Sequence, residues 1–404
     1  MSNQQKRLKI AFLNTLILQD KRTSWSLTND YIAQSLQKYC GDITYLEPIH
    51  LRELLIGKIF NRSIQLLFKK SFMYYHCFPV AKSFAKVLAR RLASQSFDVI
   101  VAPSCATEIA FLETDIPIVL IEDATFALLY NYYAQYKNLL KRSVYESEVL
   151  EKLALQKASM ALYPSKWGTQ SALEHYRADE RSVHLVPFGG NIDTPPPIEV
   201  VQRKKKSARC TLFFLGVDWE RKGGEIAFET LLRLEEKGLQ AELIVCGCIP
   251  PARFAHERMK VIPFLSKKEE KQRKELETLF ETSDFLFLPT RGETYGMVFC
   301  EASAYGLPII TTDTGGVSGA VTEGENGFLL PPSATGAQYA ELIAKIYGDD
   351  QRYAQLVQSS RATYDNKLNW DAWGMTVTRL IHEMLERKKS PENAHPIAET
   401  VLYT

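Results

Sequence analysis

Short runs of apolar residues alternate with longer amphipathic stretches along the first half of the chain. The amphipathic stretches repeat apolar residues every three or four positions, as Ile32, Leu36 and Tyr39 do, which places them on one face of a helix. The apolar runs are short enough for strands that are buried on both faces. The predicted strands are residues 8–13, 43–46, 98–102, 118–121, 160–163 and 183–186, and the predicted helices include residues 25–39, 79–94 and 143–158. Strands that alternate with helices indicate an α/β fold with a doubly wound parallel sheet.

A second alternation of the same kind follows a stretch that breaks the pattern. Residues 187–197 are rich in proline and glycine and residues 203–206 are basic, which is typical of a linker. The strands predicted after it are residues 210–215, 243–246, 260–262, 284–288 and 308–312. We therefore expect two Rossmann-like domains, residues 1–200 and 201–369, that face each other across a cleft, followed by a last helix at residues 370–387.

Residues 289–308 join two of the predicted strands and carry the most informative pattern in the chain. A loop containing Glu293 leads into a predicted helix at residues 296–305, and Glu301 lies about one turn inside that helix. A helix that starts after a strand presents unpaired N–H groups, which bind anions. Acids beside such a site repel the anion unless each faces other groups, and sugar hydroxyls suit carboxylates. The pattern thus indicates a nucleotide sugar, with Glu301 facing the ribose and Glu293 the hexose; the plain alternative is that Glu301 is a solvated helix residue.

The string Glu-x-Tyr-Gly-Met-Val-x-x-Glu-Ala-x-Ala-x-Gly-x-Pro at residues 293–308 resembles the Glu-x7-Glu motif of family 4 of the retaining glycosyltransferases. The resemblance covers nearly the whole chain and is strongest at residues 215–330. It implies the GT-B fold, in which the last helix crosses back onto the N-terminal domain. It also implies an enzyme that transfers a hexosyl group from a nucleoside diphosphate sugar to a hydroxyl of a glycan, lipid or small molecule, with retention of configuration. No metal or other cofactor is expected, and UDP-glucose is the donor suggested by family frequency, with GDP-mannose second.

Residues 215–224 follow the first strand of the second domain and open a helix. Arg221 and Lys222 supply the positive charge that a diphosphate leaving group needs, because negative charge develops on its bridging oxygen. Within the resemblance, Lys222 aligns with a phosphate-contacting lysine. Val217 stands where the family often has an arginine, so Arg221 is expected to replace it. The alternative is a pair of solvated cations at the start of a helix.

Asp123 follows a strand of the first domain, at an edge of the sheet that would face the cleft. We expect it either to contact the donor hexose or acceptor hydroxyl, or to cap the following helix. Family members often have a histidine near this region and a glycine-rich loop after the first strand, where this chain has Asp123 and Asn14-Thr15, so the acceptor stays open.

The predicted catalytic residues are thus Glu293, Lys222, Arg221 and Asp123. The positions that the resemblance assigns to the donor are Glu301, Thr294, Tyr295, Gly296, Met297, Val298, Gly216, Gly247, Phe264 and Leu265. Phe264 has two equal interpretations, a base-stacking ring or a core residue. Residues 314–319 lack a complete dinucleotide fingerprint and are interpreted as a tight turn near the donor sugar.

Composition narrows the class of protein. The chain has 404 residues, a net charge of +2 and 46% hydrophobic residues, which fits two globular domains and gives no electrostatic argument for nucleic acid. Its seven cysteines are scattered and odd in number, which indicates buried free thiols in a reducing compartment. The polar N-terminus lacks a signal-peptide core, and no apolar run is long enough to span a membrane. We therefore expect a cytoplasmic protein with a flexible tail at residues 388–404.

One segment, residues 51–91, is strongly basic and rich in aromatic residues. Its basic residues are Arg52, Lys58, Arg62, Lys69, Lys70, Lys82, Lys86, Arg90 and Arg91, and Glu53 is its single acid. Such a segment could place the protein at the inner face of an anionic membrane. The plain alternative is a solvated cationic face over an ordinary core.

Two other function classes stay open. A nicotinamide-dependent oxidoreductase would use a similar fold, although the incomplete glycine fingerprint disfavours it. A non-catalytic subunit could keep the nucleotide site for binding or scaffolding, although Glu293, Glu301 and Lys222 are all present.

Overall fold

The first of two parallel sheets lies in the N-terminal half of the chain. The computed structural model describes residues 7–13, 24–46, 49 and 51–389. The strands of this sheet are β1 (Leu8–Phe12), β2 (Gly41–Tyr45), β3 (Val99–Pro103), β4 (Ile118–Ile121), β5 (Met160–Tyr163) and β6 (Val183–Leu185). Their order is β2-β1-β3-β4-β5-β6, and every pair is parallel. The central strands β3, β4 and β5 are buried along their whole length, which explains their continuous apolar sequence.

Helices cover both faces of this first sheet. They are α1 (Ser24–Tyr39), α2 (Arg52–Phe68), α3 (Phe78–Leu92), α4 (Ala106–Ile109), α5 (Phe126–Leu129), α6 (Lys141–Lys157) and α7 (Lys166–Glu174). A short helix, α8 (Ile198–Gln202), lies in the linker to the second half.

The second sheet has the strand order of a dinucleotide-binding fold. Its strands are β7 (Cys210–Leu215), β8 (Ala241–Cys246), β9 (Met259–Ile262), β10 (Phe285–Leu288), β11 (Ile309–Thr312) and β12 (Gly327–Leu330), in the order β12-β11-β10-β7-β8-β9. Its helices are α9 (Gly224–Glu236), α10 (Glu270–Thr282), α11 (Met297–Ala304), α12 (Gly336–Tyr347), α13 (Asp350–Asn366) and α14 (Trp370–Lys389). The order reverses between β7 and β10, and ligands of open α/β sheets bind outside the carboxyl ends of strands at such a switch point.

The two domains are joined by α14 as well as by the linker. This helix packs against α1 of the N-terminal domain. Ser35 Oγ donates a hydrogen bond to the carbonyl of Trp370 (2.6 Å), and the Trp370 ring stacks on Tyr31. A Cβ on Gly374 would lie 2.1 Å from Ser35 Oγ, so the close approach of the two helices requires glycine there.

The predicted α/β fold with two doubly wound parallel sheets is confirmed. The linker differs from the prediction, since α8 lies directly after its proline-rich part. The edge strand β12 and the helices α2, α12 and α13 were not predicted as separate elements. The seven cysteines are buried and free, as predicted. No helix in the described ranges combines the length and apolar character needed to cross a bilayer. The predictions for Asn14-Thr15 and for residues 390–404 lie outside the described residues.

Candidate active site

Lys222 and Glu293 meet at the switch point of the second sheet. Lys222 lies in the turn after β7 and Glu293 in the loop after β10, and these two strands are neighbours in the sheet. Lys222 Nζ forms an ion pair with Glu293 Oε2, and both side chains are almost completely buried. The alternative of a solvated cation is therefore wrong for Lys222.

Three glycines make room for this ion pair. A Cβ on Gly216 would lie 2.6 Å from Lys222 Cγ, so the lysine stem packs directly over the Gly216 backbone. Gly247 adopts a positive φ of 102° and lies against the Gly216 carbonyl. Gly223, with a φ of 79°, is in the left-handed region, and a Cβ there would lie 1.9 Å from the Pro289 carbonyl oxygen. Residues with side chains at these positions would displace the backbone that positions Lys222.

Arg221 adds a second cation to the same cluster. Its Nη1 donates a hydrogen bond to the Gly292 carbonyl (3.0 Å) and lies 3.6 Å from Glu293 Oε2. Its guanidinium lies over the ring of Tyr133, 5.5 Å from the ring centroid, and its Nε lies 3.7 Å from Asp218. Two cations thus lie beside the buried carboxylate of Glu293, and Asp218 is the second acid of the cluster.

The start of α11 lies beside this cluster. Gly296 is its N-cap residue with a φ of 89°, and no described side chain caps the helix. A Cβ on Gly296 would lie 3.2 Å from Glu293 Cγ, which shows how near the helix start is to Glu293. Met297 and Val298 form the first turn and are half-buried. The first N–H groups of a helix have no intrahelical acceptors and carry partial positive charge, so they suit a diphosphate.

Glu301 lies on the same helix and faces a second, smaller cavity. Its carboxylate is buried and forms an ion pair with Lys267 Nζ, which also approaches the Asn191 carbonyl (3.4 Å). The cavity has a volume of about 230 Å³ and includes Tyr31 of α1 among its walls. The interpretation of Glu301 as a solvated residue is wrong. Sequence analysis missed Lys267, which no local motif distinguishes from the neighbouring lysines.

Two tyrosines of the N-terminal domain close over the Glu293 loop. The backbone N–H of Glu293 donates to Tyr132 Oη (2.8 Å), and that of Thr294 donates to Tyr133 Oη (2.9 Å). Thr294 Oγ1 donates to Asp123 Oδ2 (2.8 Å). These contacts join the domains across the cleft, and sequence analysis missed both tyrosines because the contacts join residues 161 positions apart.

Asp123 therefore acts between the domains. The N-cap of α5 is Thr125, so the alternative that Asp123 caps this helix is wrong. Its carboxylate instead lines the cleft opposite Thr294.

The other predicted donor positions differ in their surroundings. Tyr295 is buried, and its hydroxyl donates to the Phe188 carbonyl (3.0 Å), so its side chain holds the linker. Phe264 is exposed, which disfavours the core interpretation, while Leu265 is partly buried against the core. The turn at residues 314–319 packs on the Glu293 loop, where the N–H of Gly316 donates to the Glu293 carbonyl (3.2 Å).

A cavity of about 570 Å³ lies between the domains next to this cluster. Its walls include Arg221 and Glu293 from the C-terminal domain and Glu122 and Glu151 from the N-terminal domain. Burial raises the pKa of Glu151 to about 8, with a further contribution from the charge of Glu148. Burial, followed by the nearby charges of Glu151 and Asp123, raises the pKa of Glu122 well above its usual range. These buried carboxyls therefore favour the neutral form.

Comparison with known proteins agrees with this architecture. Residues 198–363 match the family model described as glycosyl transferases group 1. A D-inositol 3-phosphate glycosyltransferase from Corynebacterium aurimucosum is 23% identical over 251 residues, which cover 57% of this chain and 58% of that protein. A D-inositol 3-phosphate glycosyltransferase from Corynebacterium efficiens is 26% identical over 227 residues, 52% of each chain. The matched region thus spans little more than half of these relatives.

Solved structures extend the similarity to nearly the whole chain. A sucrose-phosphate synthase from Thermosynechococcus elongatus has a TM-score of 0.68 at 16% identity, covering 94% of this chain and 100% of that chain. The Anabaena protein HepE, in complex with UDP and glucose, has a TM-score of 0.60 at 15% identity, covering 93% of this chain and 100% of that chain. Likeness at this identity shows the fold, which is GT-B as expected. Together the comparisons show the GT-B fold over nearly the whole chain, and residues 198–363 match the model described as glycosyl transferases group 1.

Proposed function

We propose that the protein is a retaining glycosyltransferase of family 4 type that transfers a hexosyl group from a nucleoside diphosphate sugar to an acceptor hydroxyl without a metal ion. The observation that carries the proposal is the buried Lys222–Glu293 ion pair, which lies with Arg221 beside the uncapped start of α11 at the switch point of the second sheet. Cations and helix N–H groups suit the diphosphate, and the carboxylate suits sugar hydroxyls. UDP-glucose is the first donor to test.

In the proposed reaction the bond between the sugar C1 and the diphosphate oxygen breaks as the acceptor oxygen bonds to C1 on the same face. The departing diphosphate takes the proton of the acceptor hydroxyl. Lys222, Arg221 and the first N–H groups of α11 stabilise the negative charge on the leaving group. Because Lys222 and Glu293 pair with each other in the ligand-free protein, donor binding requires both to take new partners, Lys222 the diphosphate and Glu293 the hexose.

A melting-temperature screen of nucleotide sugars tests this proposal, followed by a transfer assay with and without a chelator. We expect one nucleoside diphosphate sugar to raise the melting temperature, and transfer to continue undiminished with EDTA. Donor binding without any transfer would favour a non-catalytic binding subunit. Stabilisation by a nicotinamide dinucleotide and by no nucleotide sugar would favour an oxidoreductase.

Replacing Glu301 with glutamine should raise the KM for the donor. In the proposed complex its buried carboxylate accepts hydrogen bonds from the ribose, and charged hydrogen bonds contribute about 1.5–3 kcal/mol, or roughly ten- to a hundredfold in kcat/KM. Glu341→Gln on α12 is the matched control, because Glu341 is exposed. Unchanged donor affinity in Glu301→Gln would contradict the ribose role.

We further propose that α2 contacts an anionic membrane surface. None of its residues is buried, and its large apolar side chains are exposed at Leu55, Ile56, Ile59, Phe60, Leu66, Leu67 and Phe68. Most of these positions are three or four residues apart and share one face. Exposed basic residues on and just after the helix are Arg52, Lys58, Arg62, Lys69 and Lys70. Apolar and cationic groups on one exposed helix are typical of interfacial helices.

The segment after α2 connects this helix to the larger cavity. Asn61 of α2 accepts a hydrogen bond from the N–H of Phe72 (2.7 Å), and Tyr75 and His76 then line the cavity. An acceptor held at the membrane surface would therefore lie close to the cavity.

The double variant Leu66→Ser/Leu67→Ser should weaken binding to vesicles that contain anionic lipid. These side chains are 79% and 74% exposed, and burying a leucine contributes about 1.5–3 kcal/mol, so the partition coefficient should fall at least tenfold. Vesicle flotation measures it. Ile249→Ser changes an equally exposed residue elsewhere and serves as control. If the wild-type protein does not float with anionic vesicles, the membrane proposal fails.

A further inference from the structure

The larger cavity lies where an acceptor would have to enter. Its N-terminal wall comes from the loops after β3 and β4 and from α6, and its C-terminal wall includes Arg221, Glu293 and Thr294. The proposed hexose position at Glu293 therefore borders this cavity. A molecule in the cavity could present a hydroxyl to the sugar C1.

The walls of this cavity are rich in carboxyl groups. The acidic side chains that line it are Glu122, Asp123, Glu151, Asp218 and Glu293. Arg221 is the single lysine or arginine among the described lining residues, and its guanidinium already contacts the Gly292 carbonyl and lies near two of these acids. His76 adds no positive charge at neutral pH, because burial lowers its pKa to about 4. Because Glu122 and Glu151 favour the neutral form, an anionic group in this cavity would meet the carboxylates of Asp123 on one wall and of Asp218 and Glu293 on the other.

One acid of the cavity, Glu151, has a carboxyl oxygen without a hydrogen-bond partner among the described residues. Glu151 Oε1 is buried and has no hydrogen-bond partner within the described part of the chain, although a buried polar atom without a partner is costly. Glu151 lies on α6 and lines the cavity. A ligand hydroxyl suits this atom in either protonation state, since a hydroxyl both donates and accepts. In its neutral form the Glu151 carboxyl does not distinguish a hydroxyl from a phosphate, so the discrimination depends on the other acids of the cavity.

The remaining surface of the cavity suits a sugar ring. Tyr133, Tyr136 and Phe126 contribute aromatic surface between the polar groups. Apolar walls with a few convergent polar groups are typical of small-molecule sites.

We propose that the acceptor is a polyhydroxylated molecule whose part inside this cavity carries no phosphate or carboxylate. This inference rests on the proposed function and deepens it by specifying the acceptor class. It also separates this chain from the relatives named D-inositol 3-phosphate glycosyltransferase, whose name gives a phosphate-bearing acceptor. The Glu151 carboxyl and Asp123 hold hydroxyls of the acceptor, and the carboxylates of Asp123, Asp218 and Glu293 disfavour its anionic counterparts.

A panel of matched acceptors tests the proposal on the full-length protein. The pairs are myo-inositol with D-inositol 3-phosphate, methyl glucoside with its 6-phosphate, and methyl glucoside with methyl glucuronide. Donor binding is measured first, as a shift in the melting temperature. If no nucleotide sugar causes that shift, the proposed function is contradicted and the acceptor inference is not the part at fault. With the donor bound, we expect the uncharged member of each pair to bind or react at least tenfold better. Preference for the anionic members, or no binding by any uncharged member, overturns the inference.

The variant Asp123→Asn tests whether this cavity causes the preference for uncharged acceptors. The substitution removes one negative charge and preserves the shape of the side chain. The ratio of activity with the uncharged acceptor to activity with its anionic counterpart should therefore fall at least threefold in each pair. Asp115→Asn is the control, since Asp115 is exposed just before β4. Unchanged discrimination in Asp123→Asn, with donor binding intact, would overturn the assignment of selectivity to this cavity.

Discussion

Replacing Lys222 with methionine should lower kcat/KM by about 10²–10³-fold, the loss typical of removing one group that stabilises transition-state charge. Lys222 lies in the turn after β7, and its stem is fixed over Gly216. Its ammonium group is buried beside Glu293, while Arg221 is partly exposed and held by the Gly292 carbonyl. We expect the loss mainly in kcat, because charge on the diphosphate grows as its bond to the sugar breaks.

The same variant should also be less stable, which must be separated from the loss of activity. Removing one partner of a buried ion pair leaves the other charge uncompensated, at a cost of about 3–5 kcal/mol. Arg221 lies 3.6 Å from Glu293, so the lower end of this range is expected. The double variant Lys222→Met/Glu293→Gln should recover most of the stability and none of the turnover. Lys237→Met, at the exposed end of α9, is the control. If the double variant recovered turnover, Lys222 would have no role beyond balancing Glu293.

The two glutamates of the α11 motif share one arrangement, since each is paired with a lysine. Glu293, before the helix, pairs with Lys222, and Glu301, inside it, pairs with Lys267. Each lysine comes from a different loop of the C-terminal domain, and each pair borders a different cavity. Both carboxylates are therefore held in place by their lysines before a ligand arrives, so donor binding exchanges partners and does not have to order free side chains.

The fold could be predicted from the sequence because the central strands are buried on both faces and are therefore apolar along their length. The strands Ile118–Ile121, Met160–Tyr163 and Cys210–Leu215 have the predicted limits, since each is a largely apolar run that is followed by a glutamate, a proline or a glycine, respectively. The sequence pattern did not predict α2 as a helix distinct from the rest of the basic segment, residues 51–91. The apolar face of α2 is exposed to solvent. An apolar pattern normally indicates the face of a helix that packs on the core, and α2 buries no such face.

The C-terminal side of the candidate site could also be predicted from the sequence, whereas the contacts between the two domains could not. Glu293, Glu301 and Lys222 belong to local strings whose spacing has a physical meaning. Tyr132 and Tyr133 bind backbone N–H groups of Glu293 and Thr294, and nothing in their own neighbourhood indicates those partners. Such contacts depend on the relative placement of two domains, which periodicity within either domain does not specify.

Glu151→Gln should make the protein more stable at alkaline pH relative to the wild type. Burial raises the pKa of Glu151 from 4.5 to about 8, so between these values the folded protein binds a proton that the unfolded chain has released. The free energy of unfolding of the wild type must therefore fall as pH rises through this window. Glutamine keeps the shape but cannot ionise, so this contribution disappears in the variant. Each unit of pKa difference corresponds to about 1.4 kcal/mol, which predicts a change of roughly 3 kcal/mol between pH 5 and pH 8.

Denaturant unfolding of both proteins at pH 5, 6.5 and 8 measures this difference. The quantity of interest is the variant's free energy of unfolding minus that of the wild type, because other titrating groups largely cancel in it. Part of the effect passes through Glu122, whose own pKa is raised first by burial and then by the charge of Glu151. Glu174→Gln, which makes the same substitution at an exposed position of α7, is the matched control. A difference for Glu151→Gln that does not grow with pH would mean that Glu151 is ionised in the folded protein, and that the cavity binds its ligand with a charged carboxylate.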